Sequence, residues 1–210
     1  NNVDLFRFLT KPWDTHDFLH TVEEGFSKRR LIQHTDCQTN MFRKFVPEDF
    51  LRRLDKSDLT DIQLGDHVQT TSAVMFADIK GFTALSEDLG TQSTFSFLNR
   101  FLEVIEPAID DNGGLIDKFI GDAVMAIFPT PTECCKAALE INRLVLQMTW
   151  SSRSVNIQLR QGIHYGSMIL GIVGTHNRFQ ATVVSDVVNT AAFLEQLGKL
   201  YGASTVISEE

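Results

Sequence analysis

No apolar run in the 210 residues reaches the roughly 18 to 20 that a membrane span needs. No secretory leader opens the chain. These absences predict a cytoplasmic protein with no membrane partner. Cysteine is scarce and odd in number: Cys37, Cys134 and Cys135 have neither metal-ligand spacing nor the pattern of a disulfide framework. Free thiols in a reducing compartment fit that usage better. Positive charge is in deficit, with 19 Lys and Arg against 27 Asp and Glu and a net charge of −8. That balance excludes a broad nucleic-acid surface. It leaves room for local phosphate binding, because a bound cation can reverse the sign of a small site. Internal repeats and low-complexity segments are also missing. What is present is ordinary for a globular chain, 43% hydrophobic and 22% charged, and long enough for one sizeable core or two small domains.

The chain opens with NNVDLFRFLTKPW, a short apolar strand ending at Lys11-Pro12 with no partner strand before it. HDFLHTVEEGFSKRRLIQ then reads as a helix, with Phe18, Leu19, Val22 and Phe26 at three- and four-residue spacing and the stripe running on toward Leu31 and Ile32. The helix continues toward Pro47, and PEDFLRRL makes a further short one with proline near its start. LTDIQLGDHVQTTS reads as polar linker. From Ala73 onward, short β-rich runs alternate with helical stretches.

Three segments there carry chemistry. AVMFADIKGFT, residues 73–83, is an apolar strand interrupted by Asp78 and ended by Gly81. A carboxylate in such a strand is costly unless paired or metal-bound, although a structural capping role for Asp78 is equally open. The turn Gly81-Phe82-Thr83 leads into a helix start whose free amides could hold phosphate oxygens. GGLIDKFIGDAVMAIF, residues 113–128, reads as a β-hairpin with Asp122 at its tip, where Gly-Asp is also an ordinary turn former. Two aspartates brought together would repel unless cations sat between them, an arrangement that suits two-metal chemistry. Lys118, in the first strand, reads more readily as an edge residue covering apolar surface than as a ligand. LRQGIHYGSMILGIVG reads as a glycine-rich strand pair. RFQATVVSDVVNTAAFLEQL reads as a strand, a Ser185-Asp186 cap and a helix with Asn189 and Phe193 on one face. His164 reads as a satisfied core histidine rather than a catalytic base.

In this order, FADIKGFT, DKFIGDAVMAIF, RQGIHYG and TVVSDVVNTAAFLE resemble the signature of the class III adenylate and guanylate cyclases. The opening FRFLTKPW and the helix after it resemble the end of a response-regulator receiver domain. The resemblance implies an α+β fold, a ferredoxin-like antiparallel sheet with packed helices preceded by an N-terminal helical linker. It divides the chain into a receiver strand and helix over 1–30, linker over 31–70, and a cyclase domain over 71–210 that stops before the closing strands expected of the family.

It also implies roles. Asp78 and Asp122, with the carbonyl of Ile79, would hold two magnesium or manganese ions. Lys118 and Thr182 would read adenine, favouring ATP over GTP. Asn189 would orient the ribose, Arg160 would bind phosphate, and Gly81, Phe82 and Thr83 would cradle the triphosphate. The site would be shared between two chains of a homodimer, with Asp78, Asp122 and Arg160 from one protomer and Lys118, Thr182 and Asn189 from the other. An upstream histidine kinase would act through the receiver. The sequence departs from the family at Phe193, where an arginine contacting the α-phosphate is expected. Three functions stay open: an adenylate cyclase of reduced activity, a degenerate cyclase that binds ATP and metal as a regulatory dimerisation module, and a pure dimerisation module.

Overall fold

A computed structural model of the chain describes residues 15–209 apart from 44, 45, 47, 151, 152, 155 and 156. Lys11-Pro12 and the receiver-like strand therefore lie outside the described residues. The chain divides into two compact units, residues 1–48 and residues 49–210.

The first unit holds α1 (Thr15–Arg43). Phe18, Val22 and Phe26 fall within an arc of about 80° at about 100° per residue, and all three are exposed to at least 37%. Leu31 lies about 220° round from Phe18. The apolar stripe read from the sequence thus returns at Ile32 but does not include Leu31.

The second unit is built on a sheet of order β2-β3-β1-β6-β7, with β8 alongside β6. Its strands are β1 (His67–Ile79), β2 (Leu115–Ile120), β3 (Ala123–Phe128), β6 (Leu159–Thr175), β7 (Arg178–Val184) and β8 (Thr205–Ile207). Every pairing is antiparallel except β6 with β8. Taking β1, β2, β3 and β6 as the four core strands gives the order 2-3-1-4, with helices after the first and third: the ferredoxin-like arrangement expected. A separate two-stranded ribbon joins β4 (Thr149–Trp150) to β5 (Arg153–Ser154).

Helix α4 (Thr91–Asp110) owes its place to Phe97, Phe101, Ile105 and Ile109, four residues apart and fully buried. Helix α5 (Pro131–Leu146) buries Cys134, Ala138, Ile141 and Val145 in the same way. Both stripes pack in one core with Ala73, Met75 and Ile79 of β1 and Leu159 and Ile163 of β6. Those strand residues alternate, so they share one face of the sheet. Helix α6 (Asp186–Tyr201) covers the other face, where Gly166 meets Val187 and Gly162 meets the backbone of Ala191 and Glu195.

Two readings of the sequence need correction here. The stretch read as linker up to residue 70 contributes to the second unit: Phe50 and Leu51 of α2 (Glu48–Arg53) and Leu54 just after it are buried, and β1 begins at His67. Its polar composition hid this, because its pairing is backbone-made: the Gly65 amide donates to the Ile172 carbonyl at 3.0 Å, and the Ile172 amide to the Asp66 carbonyl at 2.8 Å. The second concerns LRQGIHYGSMILGIVG, read as a strand pair. It is one strand of 17 residues. Gly162, Gly166 and Gly171 are there for close approach rather than turning; a methyl group on Gly162 would sit 2.2 Å from the Ala191 carbonyl oxygen.

Candidate active site

Asp78 stands one residue before the end of β1, directly across the ladder from Arg160 of β6. In a regular pair, residues directly opposite share a face. Arg160 and Asp78 accordingly form an ion pair through Nη2 and Oδ2. The same guanidinium donates from Nε to Glu195 Oε1 at 2.7 Å. Gly162 explains the second contact: with no Cβ in the way, α6 lies against β6 and delivers Glu195 two residues along from Arg160. All three side chains are at most 19% exposed.

Asp122 reaches the same place from the β2–β3 hairpin. Gly121 takes a positive φ of 66°, the conformation glycine supplies in a two-residue loop. The ladder of β1 with β3 ends with Ala77 opposite Val124, and continuing it lays the hairpin tip beside Asp78 and Ile79. The Asp122 carboxyl is pushed up to about 6, first by burial and then by hydrogen bonding to and repulsion from Asp78; the Ile79 amide partly offsets this. Paired carboxylates that resist joint ionisation are what a cation would relieve. Two carboxylates and a backbone carbonyl form an oxygen donor set suited to magnesium or manganese, which take few protein ligands and complete their shell from substrate phosphates. Among the described residues no cluster of three or more His, Cys, Asp or Glu forms a fuller cage.

Helix α3 (Phe82–Leu89) starts next to this pair, with Gly81 as its N-cap at φ 74°. Its first carbonyl-bound amide is that of Leu85, bonded to Gly81. Phe82, Thr83 and Ala84 therefore lack intrahelical acceptors, and Gly81 has no side chain to cap them. Such amides beside a cation site suit phosphate oxygens.

Lys118 and Thr182 form a second cluster. They sit on the strands at the two ends of the β2-β3-β1-β6-β7 path, yet Lys118 Nζ donates to Thr182 Oγ1 at 2.9 Å. Lys118 is thus engaged rather than a loose edge residue covering apolar surface. Asn189 lies on the face of α6 away from the sheet, two residues, or about 200°, from buried Val187. Phe193 shares that face at 58% exposure. The structure joins neither of them to the Asp78 cluster. His164 Nδ1 lies 2.7 Å from Ser208 Oγ, so the histidine is satisfied as expected, but it is half-buried rather than in the core.

Two residues escaped the sequence reading. Glu195 was hidden because its relation to Arg160 depends on packing at Gly162; the only trace is its i+4 spacing from Ala191 on the buried side of α6. Asp117 precedes Lys118, and its side chain is 1% exposed. No period-two pattern would place a carboxylate inside there.

Residues 66–205 match the model of the adenylate and guanylate cyclase catalytic domain family. A terminal-differentiation-specific adenylate cyclase of Dictyostelium discoideum is 35% identical over 190 residues, covering 87% of this chain and 9% of that protein. An adenylate cyclase of Anabaena cylindrica is 35% identical over 177 residues, covering 80% of this chain and 35% of its own length. The chain thus spans about a tenth and about a third of these relatives. Among solved structures, a bacterial light-regulated adenylyl cyclase superimposes with a TM-score of 0.76 at 23% identity, over 87% of this chain and 55% of that one. The adenylyl cyclase CyaB from P. aeruginosa does so with a TM-score of 0.56 at 28% identity, over 62% of this chain and 74% of that one.

Proposed function

The chain belongs to the adenylate and guanylate cyclase catalytic domain family, and we propose that it converts ATP to 3′,5′-cyclic AMP and pyrophosphate at a site shared by two copies. The observation that carries this reading is the convergence of Asp78, Asp122 and Arg160, from two strands and a hairpin tip, beside the uncapped start of α3.

In this reading Asp78, Asp122 and the Ile79 carbonyl hold two magnesium or manganese ions. Bound there, the ions would acidify the ribose 3′-hydroxyl and neutralise the triphosphate. The chain's own groups do the rest by positioning and charge. The amides at Gly81, Phe82 and Thr83 take phosphate oxygens, and Arg160 offers the triphosphate the N–H groups that Glu195 and Asp78 leave over. Lys118 and Thr182, already paired, hold the base; Thr182 Oγ1 keeps a second lone pair for the adenine amino group. Asn189 orients the ribose of the nucleotide seated mainly on the partner, because the outward face of α6 turns it away from its own Asp78. A two-fold pair of chains then carries two equivalent sites.

Phe193 sets the expected rate. Where an arginine would meet the α-phosphate, phenylalanine brings no donor, which costs on the order of 10² to 10³. The absence of donor and charge at Phe193 favours a second reading, a degenerate cyclase that binds ATP and metal as a regulatory dimerisation module. The receiver-like opening supports a place in a cytoplasmic response regulator, phosphorylated by an upstream histidine kinase. Among the described residues no helix is long and apolar enough to cross a membrane. The deciding experiment is cyclic AMP formation from ATP with manganese, beside GTP as substrate. Product from ATP that disappears in Asp78→Ala is expected; tight ATP binding without turnover would hand the lead to the second reading.

A further inference from the structure

Strand β2 pairs regularly with β3 at Leu115–Ile116 and again at Lys118–Ile120, but the register slips between Ile116 and Lys118. Asp117 is the extra residue. In an unbroken strand, residues 117 and 118 would point to opposite faces; a bulge re-aims them. The consequence is an ion pair between sequence neighbours, with Asp117 Oδ2 3.1 Å from Lys118 Nζ. The Asp117 side chain is 1% exposed, and its Oδ2 receives no aligned hydrogen bond. Burial raises its pKa while Lys118 opposes the rise. As a structural element this is a poor arrangement, because a buried carboxylate oxygen lacking a hydrogen bond costs stability that a neutral residue would not. Its effect falls on Lys118. That ammonium has three N–H donors; one goes to Thr182 Oγ1, and the Asp117 charge restrains the group from a second side. The directions left for the other two donors are therefore restricted.

We propose that Asp117 is a positioning residue that fixes the Lys118 ammonium for nucleobase selection, and so determines discrimination of ATP from GTP. The inference rests on the nucleotide-binding reading above. It assigns the β2 bulge a purpose: without it, Lys118 would keep Thr182 but lose the restraint that aims a free donor at an adenine acceptor.

The test uses the full chain with manganese and measures ATP and GTP binding by calorimetry, so that it does not depend on turnover. Asp117→Asn keeps the shape and removes the charge. It should weaken ATP about tenfold, leave GTP within about twofold, and leave the melting temperature unchanged or higher. Asp117→Glu, which keeps the charge, should retain the ATP preference, and it serves if the asparagine variant does not fold. In a Lys118→Met background, Asp117→Asn should cause no further loss, since the two act as one unit. Equal weakening of ATP and GTP, an unchanged ATP-to-GTP ratio, additive losses in the double variant, or loss of preference in Asp117→Glu would each overturn the proposal. A parent chain that binds neither nucleotide would bring down the nucleotide reading itself, a distinct outcome read before any variant is made.

Discussion

Arg160 donates from Nε to Glu195 Oε1 at 2.7 Å while its other arm bonds Asp78, so one guanidinium is held between a helix carboxylate and an aspartate assigned to metal. Removing the Glu195 charge should loosen Arg160, which the proposed function gives to the triphosphate. Glu195→Gln is expected to cost about 1.5–3 kcal/mol in urea unfolding, the range for a hydrogen bond to a charged group. It should also weaken ATP binding. A variant with unchanged stability and unchanged ATP affinity would show that Arg160 is placed without Glu195.

The Asp122 carboxyl has a definite pH signature. Its folded-state pKa, pushed up to about 6 from 3.8, lies above the unfolded value. The folded protein therefore binds this proton more tightly, and that contribution is present at low pH and lost as pH rises through about 6. In chelator near neutral pH, Asp122→Asn should melt above the parent, because it removes the repulsion from Asp78. The difference should shrink as pH falls below roughly 3, where the carboxyl is protonated in both states. Manganese should raise the melting temperature of the parent near neutral pH and leave the variant unmoved. A metal response surviving in Asp122→Asn would contradict the role given to this residue.

Gly162 is the point on which α6 rests. An added Cβ would lie 2.2 Å from both the Ala191 carbonyl oxygen and the Glu195 amide nitrogen, backbone atoms that cannot swing aside. Gly162→Ala should destabilise by about 3 kcal/mol, toward the upper end for overpacking, and weaken the Arg160–Glu195 contact with it. Denaturant unfolding measures the first effect. A loss under about 0.5 kcal/mol, typical of surface changes, would mean that α6 can stand off from the sheet.

Phe193 offers a gain-of-function test. It is 58% exposed, so Phe193→Arg asks little of the core. Cyclic AMP formation should rise by on the order of 10², with ATP affinity much the same, because the guanidinium would meet charge that develops in the transition state. A stable, ATP-binding Phe193→Arg protein with no added activity would favour the degenerate reading.

Association is the remaining expectation. The shared-site reading, which assigns the two clusters of one site to different chains, and the exposure of Phe18, Val22 and Phe26 along α1 predict a dimer at micromolar concentration. Light scattering giving the mass of one 23.7 kDa chain would sink the shared-site reading.

The short-range features were legible in the sequence because neighbouring residues cause them. The Gly121-Asp122 tip follows from two apolar runs separated by turn chemistry, and Ser185 caps α6 by accepting from the Val187 amide. The ferredoxin-like order and its cyclase family were legible through motif order. The polar strand start at His67 was not, since alternation cannot signal pairing made by backbone alone. Nor was the single long β6, whose glycines look like turns until α6 is seen against them. Sequence by itself determined which residues are chemically able to act: Asp78, Asp122, Arg160, Lys118 and Thr182. Tertiary structure alone decided what each one touches. Arg160 meets Glu195 because a glycine lets a helix approach, and Asp117 turns toward Lys118 because a bulge breaks the strand's period. Both depend on how separate elements pack and register, and no local pattern along the chain encodes that.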